Sequence, residues 1–415
     1  MSAAIEPAGL RRRTVDLLVA QLLRNLAPIL LLLMLARLTD QETVGRFSLT
    51  LAIATPIFVL AQLGLRTVSL TLVPDAGLTE YTKVQLVAVG LAFVAVVVIG
   101  LIAAPSLLVA LVLVSLLKTA DAFTDFLSGP LQRRHRSRTI LVASVVAALV
   151  VSTTAATVLL TTGGLEPTIL AVALVSIVVA YVCLYLPARR ASAAEPPPRD
   201  PSAATLSVLK AGLPLGLTTA VLALVSTFPQ YVVTATEGAA ETARFAVLLY
   251  VYALADLVTA ALAQAWVPTA QQQLLEGEGV KSLTLALRSA ARWTVVYVPV
   301  VIIGLLLTAQ LFPAIFGPGY TLSLGEAIPL GLAILTLPVA HFTAIAVAIE
   351  NYYTHSLLLA AASAVVAMVA CVVLIPVLGL AGGFVGLFAS VLVRAGVATA
   401  ILLWFFRVPK KGVAS

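Results

Sequence analysis

The chain has 415 residues, of which 61% are hydrophobic and only 10% charged, with a mean hydropathy of +1.10. A water-soluble protein of this size could not hide so much apolar surface, whose exposure is unfavourable roughly in proportion to its area. The net charge of +7 sits in certain loops only, which fits membrane topology and argues against nucleic acid as a partner.

A bilayer core takes about 20 apolar residues per helix. Lipid offers the backbone no hydrogen bonds, so the spans are expected to be helices. The alternating pattern of β-barrel strands is absent. Apolar runs between polar breaks predict twelve spans: 15–36, 46–66, 84–103, 106–128, 139–161, 168–187, 206–235, 242–265, 292–312, 325–349, 355–376 and 380–405. The first run begins at Leu17. It is too long for a cleavable signal peptide and leads straight into the polytopic pattern. Within it, Arg24 lies about two turns deep, beside Gln21 and Asn25 and one turn before Pro28. A guanidinium fork suits phosphate or carboxylate; a snorkelling residue near the helix end is the alternative.

The fourth span carries Lys118, Asp121, Asp125 and Gly129, spaced three, four and four apart. That spacing puts them on one narrow helical face. Charge at membrane depth must meet protein or water, not lipid. Either the stripe faces a substrate, with Asp121 and Asp125 as candidate cation-coupling groups, or Lys118 and Asp121 form a structural pair one turn apart. The cluster Arg133, Arg134, Arg136 and Arg138 that follows reads as a topology signal.

After six spans comes "PARRASAAEPPPRDPSAA", residues 187–204, whose proline run and small residues predict an irregular linker. The domains are therefore drawn as 1–187, a linker 188–205, and 206–415. The seventh span contains Pro229, where a kink or an end is expected. Asp256 is isolated in the eighth span and is a candidate for a coupling proton or sodium ion, or for a hydrogen-bonded structural role. His341 in the tenth span reads as a satisfied core histidine. Arg394 in the twelfth could face a cavity or pair with an acid such as Asp256. The G-x-x-x-G spacings at Gly212/Gly216, Gly379/Gly383 and Gly382/Gly386 predict close helix packing.

Lys and Arg collect on one side of this arrangement, leaving only Arg37, Arg46 and Arg244 on the other. The positive-inside rule then puts both termini in the cytoplasm. The halves also repeat weakly: "GRFSLTLAI" from Gly45 parallels "ARFAVLLYV" from Ala243, and "GGLEPTILAVAL" from Gly163 parallels "LGLAGGFVGLFA" from Leu378. The expectation is an all-α bundle of two six-helix lobes related by a parallel pseudo-twofold repeat, an architecture that typically encloses an alternately opening central site. Cys183 and Cys371 both lie in apolar spans and are not expected to pair. Neither a P-loop nor a metal-ligand spacing occurs, so no metal, cofactor or enzymatic activity is expected.

Several stretches together resemble one family. "LARLTDQETVGRFSLTLAIATPIFVLAQLGL" (35–65) looks like the first hairpin of the Wzx-type polysaccharide flippases of the multidrug/oligosaccharidyl-lipid/polysaccharide exporter superfamily. "KTADAFTDFLSGPLQRRHR" (118–136) is similar to the end of that family's fourth helix. "LFPAIFGPGY" (311–320) and "LIPVLGLAGG" (374–383) are similar to its ninth-helix ending and its last turn. The resemblance implies a two-lobed, V-shaped membrane protein of the bacterial inner membrane. It implies movement of an undecaprenyl-diphosphate-linked oligosaccharide, as in O-antigen or teichoic-acid synthesis, from the cytoplasmic to the outer leaflet. It also implies a cationic cavity, to which Arg24 and Lys118 match by position, and Arg394 is added as a further candidate. Membrane lipids, and a polysaccharide polymerase or glycosyltransferases, are the expected partners of an expected monomer. The alternatives are a drug/cation antiporter of the same fold, which would rely on acids such as Asp256, and a lipid II flippase. A membrane sugar polymerase or ligase is disfavoured by the short outer loops.

Overall fold

The computed structural model describes residues 7–71, 76–193, 198, 200–275, 280–349 and 353–407. The described residues form helices and no strands. In chain order these are α1 (Pro7–Leu38), α2 (Gln41–Ala61), α3 (Leu65–Thr71), α4 (Leu78–Ala103), α5 (Leu108–Arg133), α6 (Ser137–Thr162), α7 (Leu165–Val179), α8 (Leu186–Ser192), α9 (Pro201–Glu237), α10 (Ala239–Leu275), α11 (Val280–Phe316), α12 (Leu324–Ile349), α13 (Tyr353–Leu378) and α14 (Leu380–Arg407). A 3₁₀ turn, Pro105–Leu107, leads into α5, and a π-helical segment, Ala180–Tyr185, joins α7 to α8.

Twelve segments among the described residues are long and apolar enough to cross a membrane. Each predicted span coincides with one of them to within a few residues, those predicted at 325–349, 355–376 and 380–405 running one or two residues beyond the segments Leu324–Val347, Leu357–Leu378 and Leu380–Trp404. The second span reaches further than predicted, to Leu70, because α3 continues it. Exposed Leu, Val and Ile run along the outer faces: Leu86, Val87, Leu91 and Val94 on α4, and Val295, Val296, Ile302 and Leu306 on α11. Apolar side chains left exposed on this scale are stable only against lipid.

The chain divides into two compact units, Met1–Ala223 and Leu224–Ser415, with the division inside α9. In the first unit α2, α4 and α7 pack on α5, and α6 packs on α7. In the second, α10, α11 and α14 pack on α12, and α13 packs on α14. Spans eight to twelve thus repeat the packing order of spans two to six. The repeated "RF" positions agree as well: Arg46 pairs with Glu42 at 2.6 Å, and Arg244 with Glu241 at 3.1 Å. Arg244 also holds Glu326 through one nitrogen at 2.6 and 2.7 Å, which ties α10 to the start of α12.

The linker is shorter than the proline-rich sequence suggests. Helix persists to Ser192 and resumes at Pro201; residues 194–197 and 199 lie outside the described residues. The resumption follows ordinary capping. Asp200 accepts from the backbone N–H groups of Ser202 and Ala203 at 2.9 and 3.1 Å, and Pro201 stands at the first helical position, where its missing N–H costs nothing. α9 then runs through Pro214 and Pro229 to Glu237 without ending. Its early part packs by small residues: Cβ atoms at Gly212 or Gly216 would come within 2.7–2.9 Å of the Leu63 or Leu60 carbonyl. Gly382 similarly abuts the backbone of Leu374, and Gly386 the Cys371 sulfur. Of the glycines predicted to pack closely, Gly212, Gly216 and Gly382 thus meet backbone, Gly383 meets the Phe245 ring and Gly386 the Cys371 sulfur, whereas a Cβ at Gly379 would meet nothing within 4 Å.

Asp40 caps α2. It accepts from the Thr43 N–H at 2.7 Å and from the Thr43 hydroxyl at 3.1 Å. The backbone bond holds its carboxyl below the usual carboxylate range. A depressed pKa means stability that is present above the unfolded value and lost as pH falls through the folded one. Asp40→Ala is therefore expected to cost about 1 kcal/mol near neutral pH. Thermal unfolding at descending pH should show the two proteins converging once Asp40 is protonated; a constant gap would mean the carboxylate does no capping.

Candidate functional site

The first unit gathers charge where α1, α3 and α5 meet. On α1, Gln21 and Arg24 share a face, and the Arg24 NH2 donates to Gln21 Oε1 at 2.7 Å. Pro28 has no N–H, so the Arg24 carbonyl has no helical donor four residues on. Asn25 is turned back to the Gln21 carbonyl at 2.8 Å.

Arg66, on α3, is the residue the sequence reading missed. It follows a break in the helix after α2. Leu63 and Gly64 both take left-handed backbone, at φ 51° and 55°. Gln85 closes the break by donating to the Ala61 carbonyl at 3.3 Å. α3 then lies on α5 at Gly129. A Cβ there would overlap the Ser69 hydroxyl and come within 3.0 Å of the Arg66 carbonyl oxygen. Only glycine permits this approach, and the approach places the Arg66 side chain.

Arg66 NH1 reaches Asp125 Oδ1 at 3.4 Å and Gln21 Oε1 at 3.3 Å, and its NH2 reaches Gln132 Oε1 at 3.3 Å. Arg24 NH1 lies 3.9 Å from the same Asp125 oxygen and donates to Ser128 Oγ at 3.2 Å. The Arg24 Nε is buried without a hydrogen bond. Higher on α5, Lys118 Nζ sits 3.5 Å from Asp121. The stripe thus splits in two: Asp125 and Gly129 face α1 and α3, while Lys118 and Asp121 pair with each other. Together the five charges leave one net positive.

The second unit builds a different cluster. Asp256 on α10 meets His341 Nε2 of α12 at 2.8 Å, and Arg394 NH2 of α14 lies 3.9 Å away. One turn on from Asp256, Thr259 shares a 2.7 Å hydrogen bond with Tyr297. Arg394 keeps two buried nitrogens, Nε and NH2, without hydrogen bonds. His341 is thus hydrogen-bonded, to a partner that a single span could not identify. No group of His, Cys, Asp or Glu among the described residues is arranged to hold a metal ion.

The sequence profile of a family described as "Polysaccharide biosynthesis protein" matches residues 10–273. The chain belongs to this polysaccharide biosynthesis family. No curated protein matches its sequence. Solved structures share the fold of this polysaccharide biosynthesis protein at low identity. An outward-facing multidrug resistance MATE family transporter of the MOP superfamily superposes with a TM-score of 0.65 and 16% identity, over 96% of this chain and 95% of the other. An inward-facing MATE transporter gives 0.63 and 16%, over 100% and 98%. A MOP superfamily transporter from Pyrococcus furiosus, described as having a binding pocket of reversed polarity that suggests a different function, gives 0.64 and 14%, over 97% and 96%. The polysaccharide biosynthesis protein therefore has the MOP-superfamily transporter fold.

Proposed function

We propose that this protein is a flippase that moves an undecaprenyl-diphosphate-linked oligosaccharide from the cytoplasmic to the outer leaflet of a bacterial inner membrane. It works by alternating access, with both termini cytoplasmic. The supporting observation is the convergence of Arg24 and Arg66 on one carboxylate at membrane depth. A guanidinium pair with a surplus positive charge suits a diphosphate, the part of such a lipid that most resists leaving water. Membership of a polysaccharide biosynthesis family makes a lipid-linked sugar the fitting cargo.

The antiporter reading needs a carboxylate available to a cation. Asp256 is engaged by His341 and faces Arg394, so a second cation would compete with both. Arg394 and Lys118 remain candidate contacts for the lipid-linked substrate, and Asp121 and Asp256 for a coupling ion.

The test is reconstitution into liposomes with a fluorescent sugar on a short polyprenyl diphosphate, its exposure read by a membrane-impermeant quencher. Protein-dependent loss of protection is expected. Proteoliposomes that match empty liposomes with this lipid, yet extrude a cationic dye, would replace the flippase reading with the antiporter one.

A further inference from the structure

The first-unit cluster has more donors than its acceptors satisfy. Two guanidinium groups converge on single oxygens: Gln21 Oε1 takes Arg24 at 2.7 Å and Arg66 at 3.3 Å, and Asp125 Oδ1 faces Arg66 at 3.4 Å and Arg24 at 3.9 Å. A strong charge-assisted N–H···O contact is about 2.7–2.9 Å. Both Asp125 contacts are longer, so the carboxylate is shared loosely and committed to neither arginine. It is also the most exposed of the three side chains, at 33% against 16% for Arg24 and 23% for Arg66. The acid is thus the member that water reaches most readily. Arg24 Nε adds a buried donor with nothing to bind.

We propose that Asp125 is a resident counter-ion that a diphosphate must displace from Arg24 and Arg66. Asp125 thereby sets selectivity for diphosphate over monophosphate and promotes release of the lipid. The inference rests on the flippase reading and deepens it. A carboxylate brings one negative charge and one pair of oxygens. A monophosphate ester exchanges for it with little gain. A diphosphate brings more charge and two sets of oxygens, enough to engage both forks. Once displaced, Asp125 stays beside the bound phosphate on α5. Its like charge weakens retention and favours departure of the lipid. Lys118 does not cancel this effect, because Asp121 already occupies it at 3.5 Å.

The experiment is calorimetric titration of the full-length chain in detergent with farnesyl diphosphate and farnesyl monophosphate. Asp125→Asn keeps the shape and removes the charge. It is expected to bind the diphosphate about tenfold tighter and to gain more for the monophosphate, so that discrimination narrows. The same variant in liposomes should flip the fluorescent lipid severalfold more slowly, because release is hindered. Asp125→Glu, which keeps the charge, should preserve the preference for diphosphate over monophosphate that Asp125→Asn loses, and Asp125→Ser replaces the asparagine variant should that fail to fold. Unchanged or weaker binding by Asp125→Asn, at an unaltered thermal midpoint, would reduce Asp125 to a clamp for the arginines and overturn the proposal. Binding of neither probe to any variant, the natural chain included, would instead remove the phosphate site and the flippase reading with it.

Discussion

Arg24→Ala and Arg66→Ala are each expected to lower flipping of the lipid-linked oligosaccharide by at least about thirtyfold, and the double variant to abolish it. Truncating one partner of a hydrogen-bonded, partly desolvated charge pair costs about 2–5 kcal/mol. At 1.4 kcal/mol per factor of ten, the lower bound of that range sets the thirtyfold figure. Arginine to lysine should restore little, because an ammonium cannot reproduce the fork that engages phosphate bidentately. Arg66→Ala also takes from Asp125 the nearer of its two cations, leaving Arg24 at 3.9 Å. Lys118→Ala should do less, since Lys118 is balanced by Asp121 on its own helix. The measurement is quencher accessibility of the fluorescent lipid, with membrane abundance checked by immunoblot. Full flipping by Arg66→Ala at normal abundance would show that the cluster does not handle the substrate.

The helices were legible in the sequence because lipid leaves one solution to the backbone problem. Runs such as "VQLVAVGLAFVAVVVIG" in α4 could hardly be anything else. The stripe on α5 was legible for a similar reason, since helical period alone puts Lys118, Asp121, Asp125 and Gly129 on one face. What the period cannot say is which neighbour that face meets. Arg66 shows the limit. It stood at the end of the predicted second span and was not singled out. Its inward position depends on two consecutive left-handed residues, one of them Leu63, and left-handed backbone is uncommon outside glycine. The signals that could have found it are Gly64, which lets the chain turn just before Arg66, and Gly129 on the charged stripe, which leaves room for the Arg66 backbone. The meeting of Asp256, His341 and Arg394 was out of reach for another reason. The three lie on separate spans, and lateral packing of apolar helices leaves little trace in any one of them.

The two units share a packing order but not a polar chemistry. In the first, Arg24 and Arg66 leave an excess of cation beside a water-accessible acid. In the second, Asp256 is held by a 2.8 Å bond to His341 with Arg394 close by. A duplicated scaffold can diverge this way because backbone packing depends on small and apolar residues, whereas the polar face of each helix is free to change. The two units can therefore carry different polar clusters without any difference in fold.

Gly129→Ala is the sharpest test of how the scaffold sets the site. The added methyl group would overlap the Ser69 hydroxyl, which can rotate away. It would also lie 3.0 Å from the Arg66 carbonyl oxygen and 3.1 Å from its Cα, and these are backbone atoms that cannot. α3 must then move off α5 by a few tenths of an ångström. Overpacking of this kind costs about 1–3 kcal/mol. Because Arg66 rides on α3, the same displacement lengthens contacts to Asp125 and Gln132 that are already 3.4 and 3.3 Å. Flipping is expected to fall by about tenfold or more, since small misplacements of charged groups are disproportionately costly. Gly382→Ala is the control. It strikes the Leu374 backbone in the second unit, and should lower the thermal midpoint without changing the affinity of the folded fraction for farnesyl diphosphate. Gly129→Ala should lower both. Equal losses of affinity in the two variants would mean that Gly129 matters for packing alone, and that the contact between α3 and α5 does not place Arg66.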